Sequence, residues 1–381
     1  MLLFVQMIRM KIAIVHDVVE EWGGANKFLL EILKIYPKSD LYTLFFEDGD
    51  LNNFEIRKRA GRVVASNLVK FWKKFKMPYF RTFLLLISPW FWEKLDLSEY
   101  DLVISSTYGY GSFGVIVSPW TKHLCYCHTP SKRMYGERSL MTVRGGKYKS
   151  HNFSFLYKNR RLWDFVAAHR PDIWWSNSKY TQMRVKRVFG VESKVVYVPL
   201  KSYKHSKNKS DGEYYLYFGR LVLDKGIELI INSFNENRKK LLIVGRGEDS
   251  DEKYLKSLAK ENIEFYGFAG EGELPKIFSK TRALIFAAKG EDFGMVMVEA
   301  MSAGVPVIAF KAGGASEIVE NGKSGVLFNE YSQDGLNEAI DRFEEMRINP
   351  NKCIERADFF IKNGFSTKIK GLVGDLINKR Q

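Results

Sequence analysis

Glu291-Asp292-Phe293-Gly294-Met295-Val296-Met297-Val298-Glu299 follows an apolar run at 283–286 and leads into a helical pattern. Strand, Gly-bearing loop and helix succeed one another there, with a carboxylate at each end of the stretch. If the helix starts near Phe293, Glu299 sits within its first two turns and Glu291 caps the entering loop. Both carboxylates then face one ligand. Gly294 lets backbone approach that ligand, while the helix N-terminus offers free amides and a positive dipole to a phosphate. A nucleotide-sugar would use all of these groups.

The same unit recurs on either side. Strands are expected at 214–218, 240–244, 263–266, 283–286, 305–309 and 325–328, alternating with helices at about 227–237, 251–260, 273–279 and 294–303. Upstream, Lys11-Ile12-Ala13-Ile14-Val15 reads as a buried parallel strand, followed by a loop over 16–25 and a helix from about Asn26. Further strands are expected at 41–45, 102–105, 115–117, 123–126 and 173–176. The alternation predicts an α/β chain with two doubly wound, largely parallel sheets. A polar linker at 199–212 divides residues 1–200 from 201–355. The end of the chain, 356–381, is expected to be a helix returning to the first domain. Ligands in such sheets bind beyond the carboxyl ends of the strands, so the two domains are expected to face each other across a cleft.

Composition excludes disorder and low complexity: 45% of the 381 residues are apolar, 14% aromatic, and only 10 are proline. Charge is uneven. Residues 1–200 hold 31 Lys/Arg against 17 Asp/Glu, and residues 201–381 hold 28 against 27. A basic half points to an anionic partner such as a membrane surface, a phosphorylated acceptor or nucleic acid; solvated excess lysine is the alternative. From Arg57 to Leu95, lysines and arginines alternate with aromatic residues, which reads either as a face lying on a membrane or as buried helices. No stretch is long enough to span a bilayer. Three cysteines, Cys125, Cys127 and Cys353, do not make a disulfide framework and fit a cytosolic protein. The N-terminus has no leading basic region or small-residue cleavage site, and Met1, Met7 or Met10 can each be its start.

Four more loops carry chemistry. Trp22-Gly23-Gly24-Ala25 follows the first strand, where two glycines permit close approach to a phosphate or sugar, although a plain tight turn explains them equally. In Phe218-Gly219-Arg220-Leu221-Val222-Leu223-Asp224-Lys225-Gly226, Arg220 and Lys225 bracket a post-strand loop and together can neutralise a diphosphate. Gly245-Arg246-Gly247 is a third post-strand loop and a wall for a nucleotide, and Gly313-Gly314-Ala315-Ser316-Glu317 another ligand-lining loop. His128, in Tyr126-Cys127-His128-Thr129-Pro130, ends a strand of the first domain.

These motifs, in this order, resemble the GT-B retaining enzymes of glycosyltransferase family 4. The carriers are Trp22-Gly23-Gly24-Ala25, His128, Asn177-Ser178 with Arg184, Phe218-Gly219-Arg220 with Lys225-Gly226, and Glu291 to Glu299 followed by Ala303-Gly304-Val305-Pro306-Val307-Ile308 and Gly313-Gly314. The resemblance implies that Arg220 and Lys225 bind the donor diphosphate, Glu291 the transferred sugar and Glu299 the nucleotide ribose. It places His128 against the sugar and Gly24, Gly219, Gly245, Phe293, Gly294 and Met295 along the donor. It further implies a nucleotide-diphosphate sugar as co-substrate, no metal and no other cofactor, and retention of anomeric configuration. Ile14-Val15-His16-Asp17, the Asp96 to Ser106 stretch and Cys125 to Pro130 are similar to bacterial surface-polysaccharide mannosyltransferases. That likeness favours GDP-mannose and a saccharide or lipid-linked acceptor, while the cysteine content and the basic first half point to a cytoplasmic enzyme at the inner face of the membrane. Ser131-Lys132-Arg133-Met134-Tyr135-Gly136 departs from those relatives. A GT-B-like phosphorylase or epimerase, and a UDP-hexose donor, are the alternatives. No nucleic-acid motif appears.

Overall fold

A computed structural model describes residues 10–20, 23–48, 51–66, 80–135, 157–203 and 212–362, together with 365, 368, 369 and 371. The chain divides into two compact units. The first is built on seven parallel strands: β1 (Ile12–His16), β2 (Asp40–Thr43), β3 (Val63–Ala65), β4 (Leu102–Thr107), β5 (Lys122–Cys127), β6 (Ile173–Ser176) and β7 (Lys194–Val195), in the order β3-β2-β1-β4-β5-β6-β7. Every residue of β1 and β4 is buried, as expected of central parallel strands covered on both faces. The covering helices are α1 (Gly24–Ile35), α2 (Leu51–Arg59), α3 (Phe80–Glu93), α4 (Tyr157–Ala167) and α5 (Lys179–Phe189).

The second unit repeats the plan with β8 (Tyr214–Phe218), β9 (Leu241–Val244), β10 (Ile263–Gly267), β11 (Thr281–Phe286), β12 (Val307–Phe310) and β13 (Gly325–Phe328), ordered β10-β9-β8-β11-β12-β13 and again all parallel. Its helices are α6 (Ile227–Asn237), α7 (Asp249–Leu258), α8 (Leu274–Ser279), α9 (Met295–Ser302), α10 (Ala315–Ile318), α11 (Gln333–Glu345) and α12 (Pro350–Ile361). In each sheet the strand order reverses beside the first strand, at β1/β4 and at β8/β11. These are the two switch points where such folds bind ligands.

Two expectations are corrected. Val115 to Val117 is not a strand: the backbone of Tyr108, Tyr110 and Ser112 wraps around the Asp17 carboxylate, and Ser112–Gly114 closes into a single 3-10 turn. The first helix begins at Gly24 rather than near Asn26, with Trp22 outside the described residues. The helix expected at about 294–303 runs Met295–Ser302, its start set by Gly294, whose φ of 93° lies outside the helical region.

The C-terminal helix α12 belongs to the second unit. Arg356 Nε donates to the Ile318 carbonyl at 2.9 Å, and Phe360 packs on Phe293. Beyond it the described residues group with the first unit, where Phe365 meets Phe28 edge-on. Part of the basic aromatic stretch is core. Leu84, Leu85 and Trp92 of α3 are buried, and Trp92 Nε1 donates to the Tyr110 carbonyl at 2.8 Å, whereas Trp90 is exposed. Residues 67–79 of that stretch lie outside the described residues, as does 204–211 of the linker. Among the described residues no helix is long and apolar enough to cross a membrane.

Candidate functional site

In the second unit, the loops leaving β8 and β11 bring predicted site residues together. Lys225 ends a 3-10 turn, Leu223–Lys225, and its ammonium bonds the Glu291 carboxylate. Their side chains retain 26% and 21% exposure, so the pair is accessible to a ligand. Arg220 is exposed nearby in the same loop. The Tyr217 hydroxyl donates to the Arg220 carbonyl at 2.7 Å, and its pKa is raised by burial and by the Glu291 charge, with Arg220 opposing. One phenol thus senses both Arg220 and Glu291.

Backbone contacts that only glycine allows hold these loops in register. Gly314 N–H donates to the Glu291 carbonyl at 2.8 Å, so that amide is committed to the loop. A Cβ on Gly313 would stand 2.2 Å from the Glu291 carbonyl oxygen, and one on Gly314 would stand 2.0 Å from that of Phe293. Gly219 and Gly245 abut in the same way: a Cβ on Gly245 would lie 1.8 Å from the Gly219 oxygen, and Gly245 has φ 146°. Gly245→Ala is therefore expected to destabilise the second unit by about 2–4 kcal/mol, through overpacking and backbone strain together. Urea denaturation of the variant checks this.

The two carboxylates of the quoted stretch end in different surroundings. Glu291 meets Lys225, while Glu299, the fifth residue of α9, is 2% exposed. Tyr203 lies within its electrostatic reach: burial raises that phenol's pKa first, and the Glu299 charge adds to it. Phe293 is buried and Met295 half-buried at the start of α9.

His128 sits in the first unit, just past the end of β5. Its ring is packed against Phe28, Tyr126 and Tyr108. Asn177 Nδ2 donates to its carbonyl at 3.0 Å, and Arg184 donates to Thr129 Oγ1 at 2.7 Å and to the Pro130 carbonyl at 2.8 Å. Asn177 and Arg184 thereby brace the His-Thr-Pro turn, and Ser178 caps α5 through the Thr181 amide. Gly24 is the first residue of α1, whose opening turn carries no acidic side chain.

Four residues at the β1/β4 switch point have no site role assigned from the sequence, although His16, Asp17 and Ser106 lie in the stretches that resemble mannosyltransferases. The strand register sets His16 opposite Ser106, and Ser106 Oγ contacts both His16 Nδ1 at 2.9 Å and His128 Nε2 at 3.0 Å. Asn26 Oδ1 lies 3.2 Å from His16 Nε2. Asp17, fully buried, accepts from the amides of Tyr108, Tyr110 and Ser112 and from Thr107 Oγ1. Their signal was positional: a His-Asp pair ending one central strand beside a Ser-Ser-Thr run ending its neighbour. Among the described residues no cluster of three His, Cys, Asp or Glu is placed to hold a metal ion.

Comparisons with known proteins bear on both units. An uncharacterized glycosyltransferase of Methanocaldococcus jannaschii is 30% identical over 143 residues, which covers 35% of this chain and 36% of that protein. The chain thus spans about a third of that relative's length. Mannosylfructose-phosphate synthase of Agrobacterium fabrum is 23% identical over 374 residues, 82% of this chain and 77% of that one. The structure of the Anabaena protein HepE in complex with UDP-glucose superimposes with a TM-score of 0.69 at 20% identity, over 97% of this chain and 100% of that one, which establishes a common fold. The architecture is therefore GT-B, and residues 201–358, which contain Lys225, Glu291 and Glu299, match the family model of glycosyl transferases group 1.

Proposed function

We propose that this protein is a retaining glycosyltransferase of family 4 that moves a hexose, mannose foremost, from a nucleotide-diphosphate sugar to a saccharide or lipid-linked saccharide acceptor in polysaccharide or glycolipid synthesis. The observation that carries this reading is the Lys225–Glu291 pair, set at the carboxyl ends of the two strands flanking the second switch point and just ahead of helix α9. The match over residues 201–358 supports it.

In this reading the charge lost to the leaving diphosphate is met by Lys225 and Arg220, without a metal ion. Glu291 accepts hydrogen bonds from hydroxyls of the transferred sugar, and Glu299 holds the ribose. The acceptor hydroxyl attacks from the face the diphosphate leaves, so no protein atom forms a covalent adduct. Precise holding of the sugar then accounts for the remaining rate enhancement. The basic first half of the chain is the surface that meets anionic lipid at the inner face of the membrane.

GDP-mannose is favoured by the likeness to mannosyltransferases. HepE, solved with UDP-glucose, keeps a UDP-hexose as the second reading. A thermal-shift series with GDP-mannose, UDP-glucose and ADP-glucose tests both. A ligand at a hundred times its Kd stabilises by about 2.7 kcal/mol, and only the donor should do so. A protein shifted by none of the three would overturn the proposal. Release of nucleoside diphosphate that requires a saccharide acceptor separates transfer from phosphorolysis or epimerisation.

A further inference from the structure

His128 ends a chain of four buried polar groups: Asn26 Oδ1 to His16 Nε2, His16 Nδ1 to Ser106 Oγ, and Ser106 Oγ to His128 Nε2. A neutral imidazole carries one ring proton, and an amide oxygen only accepts. The Asn26 oxygen therefore requires the His16 proton on Nε2, which leaves His16 Nδ1 bare. Ser106 must then donate its hydroxyl proton to His16 Nδ1, and its lone pair receives Nε2–H of His128. His128 Nδ1 is left bare, and among the described residues no protein donor bonds it.

From this geometry we infer that Asn26, His16 and Ser106 are positioning residues that lock His128 in the Nε2-protonated tautomer and present its Nδ1 as a hydrogen-bond acceptor to a ligand hydroxyl. Burial supports the neutral state of both rings. It lowers His16 to about 4, against the pull of the Asp17 charge and of hydrogen bonds to Asn26 and the Val18 backbone, and holds His128 well below the usual imidazole range, with His16 adding to the effect. A ring in this state cannot protonate a departing phosphate. Its partner is a neutral hydroxyl donor, which is the chemistry of a sugar ring. Identifying that hydroxyl with the donor sugar rests on the proposed function; the tautomer itself does not.

Two measurements separate the two claims. In the ligand-free full chain with 15N-labelled histidine, His128 is expected to be neutral and protonated at Nε2 at pH 7. Ser106→Ala should turn it into a mixture of tautomers, and Ser106→Thr, which keeps the hydroxyl, should restore the single form. An Nδ1-protonated His128 in the wild-type protein overturns the relay, and that spectrum decides the matter even if Ser106→Ala fails to fold. A mixture in Ser106→Thr as broad as in Ser106→Ala overturns it too. For the ligand, Ser106→Ala should raise the donor Kd by about three- to tenfold, the worth of one hydrogen bond, and Ser106→Thr should recover it. A donor Kd unchanged in Ser106→Ala overturns the presentation of Nδ1 to the sugar. Failure of any nucleotide-sugar to bind the wild-type chain counts instead against the proposed function.

Discussion

Lowering the pH from 7 to 5 is expected to remove about 3 kcal/mol or more of stability from the first unit while leaving the second nearly unchanged. The cause is three buried histidines held neutral: His16 at about 4, His123 at about 3, and His128 well below the usual range. Burial is the leading cause for all three. Unfolded, each titrates near 6.5, so below that pH the unfolded chain binds protons that the folded chain refuses. The stabilisation is complete above about 6.5 and is lost as the pH falls toward the folded values, at about 1.4 kcal/mol per unit for each group. His16 and His123 alone lose about 4 kcal/mol by pH 5, and His128 adds in the same direction.

Asp164 works against them. Burial raises it to about 6 despite its pairing with Arg160, so the folded state binds a proton that the unfolded state lacks, returning about 1.4 kcal/mol by pH 5. The described residues of the second unit include no histidine. Its depressed carboxylates, Glu273 and Glu344, lose their contributions only at still lower pH. Hydrogen exchange followed through β4 and β11 at pH 7 and pH 5 checks the asymmetry. Equal acceleration in both strands would show that the buried histidines do not govern it.

The same burial explains what was legible in the sequence. Strands such as Leu102–Thr107 and Leu241–Val244 are covered on both faces, so they read as apolar or small-residue runs, and the two sheets follow from their alternation with helices. Val63–Ala65 and Lys194–Val195 are too short to leave a pattern, although each adds an edge strand to the first sheet. Val115 to Val117 has the composition of a strand, but its path is set by Asp17, a residue distant in the chain whose contacts no local window reveals. At the site, the positions of Lys225 and Glu291 after adjacent central strands were readable. Their ion pair was not, because it depends on how the Gly294 and Gly313-Gly314 backbones pack. Likewise His128 stood out as a strand-end histidine, whereas its dependence on Asn26 needed the register of β1 against β4.

Replacing Lys225 by Ala is expected to lower kcat by about a hundred- to a thousandfold, the usual effect of removing one preorganised group that stabilises transition-state charge. Folding should barely respond. Lys225 and Glu291 each keep roughly a quarter of their surface exposed, and a pair in that setting contributes about 1 kcal/mol at most after solvent screening. The variant therefore discriminates between two roles for one ion pair. If the pair were only a strut between the loops after β8 and β11, Lys225→Ala and Glu291→Gln would lose activity in parallel, and both would lower the unfolding midpoint. In the proposed mechanism Lys225 meets the diphosphate and Glu291 the sugar. Lys225→Ala should then depress turnover with every donor, whereas Glu291→Gln should alter the ranking of GDP-mannose against UDP-glucose more than it alters the rate with the better one. Single-turnover assays on variants matched for unfolding midpoint measure this. A well-folded Lys225→Ala protein with wild-type transfer rates would remove Lys225 from the chemistry and leave the diphosphate charge to Arg220 and the amides at the start of α9.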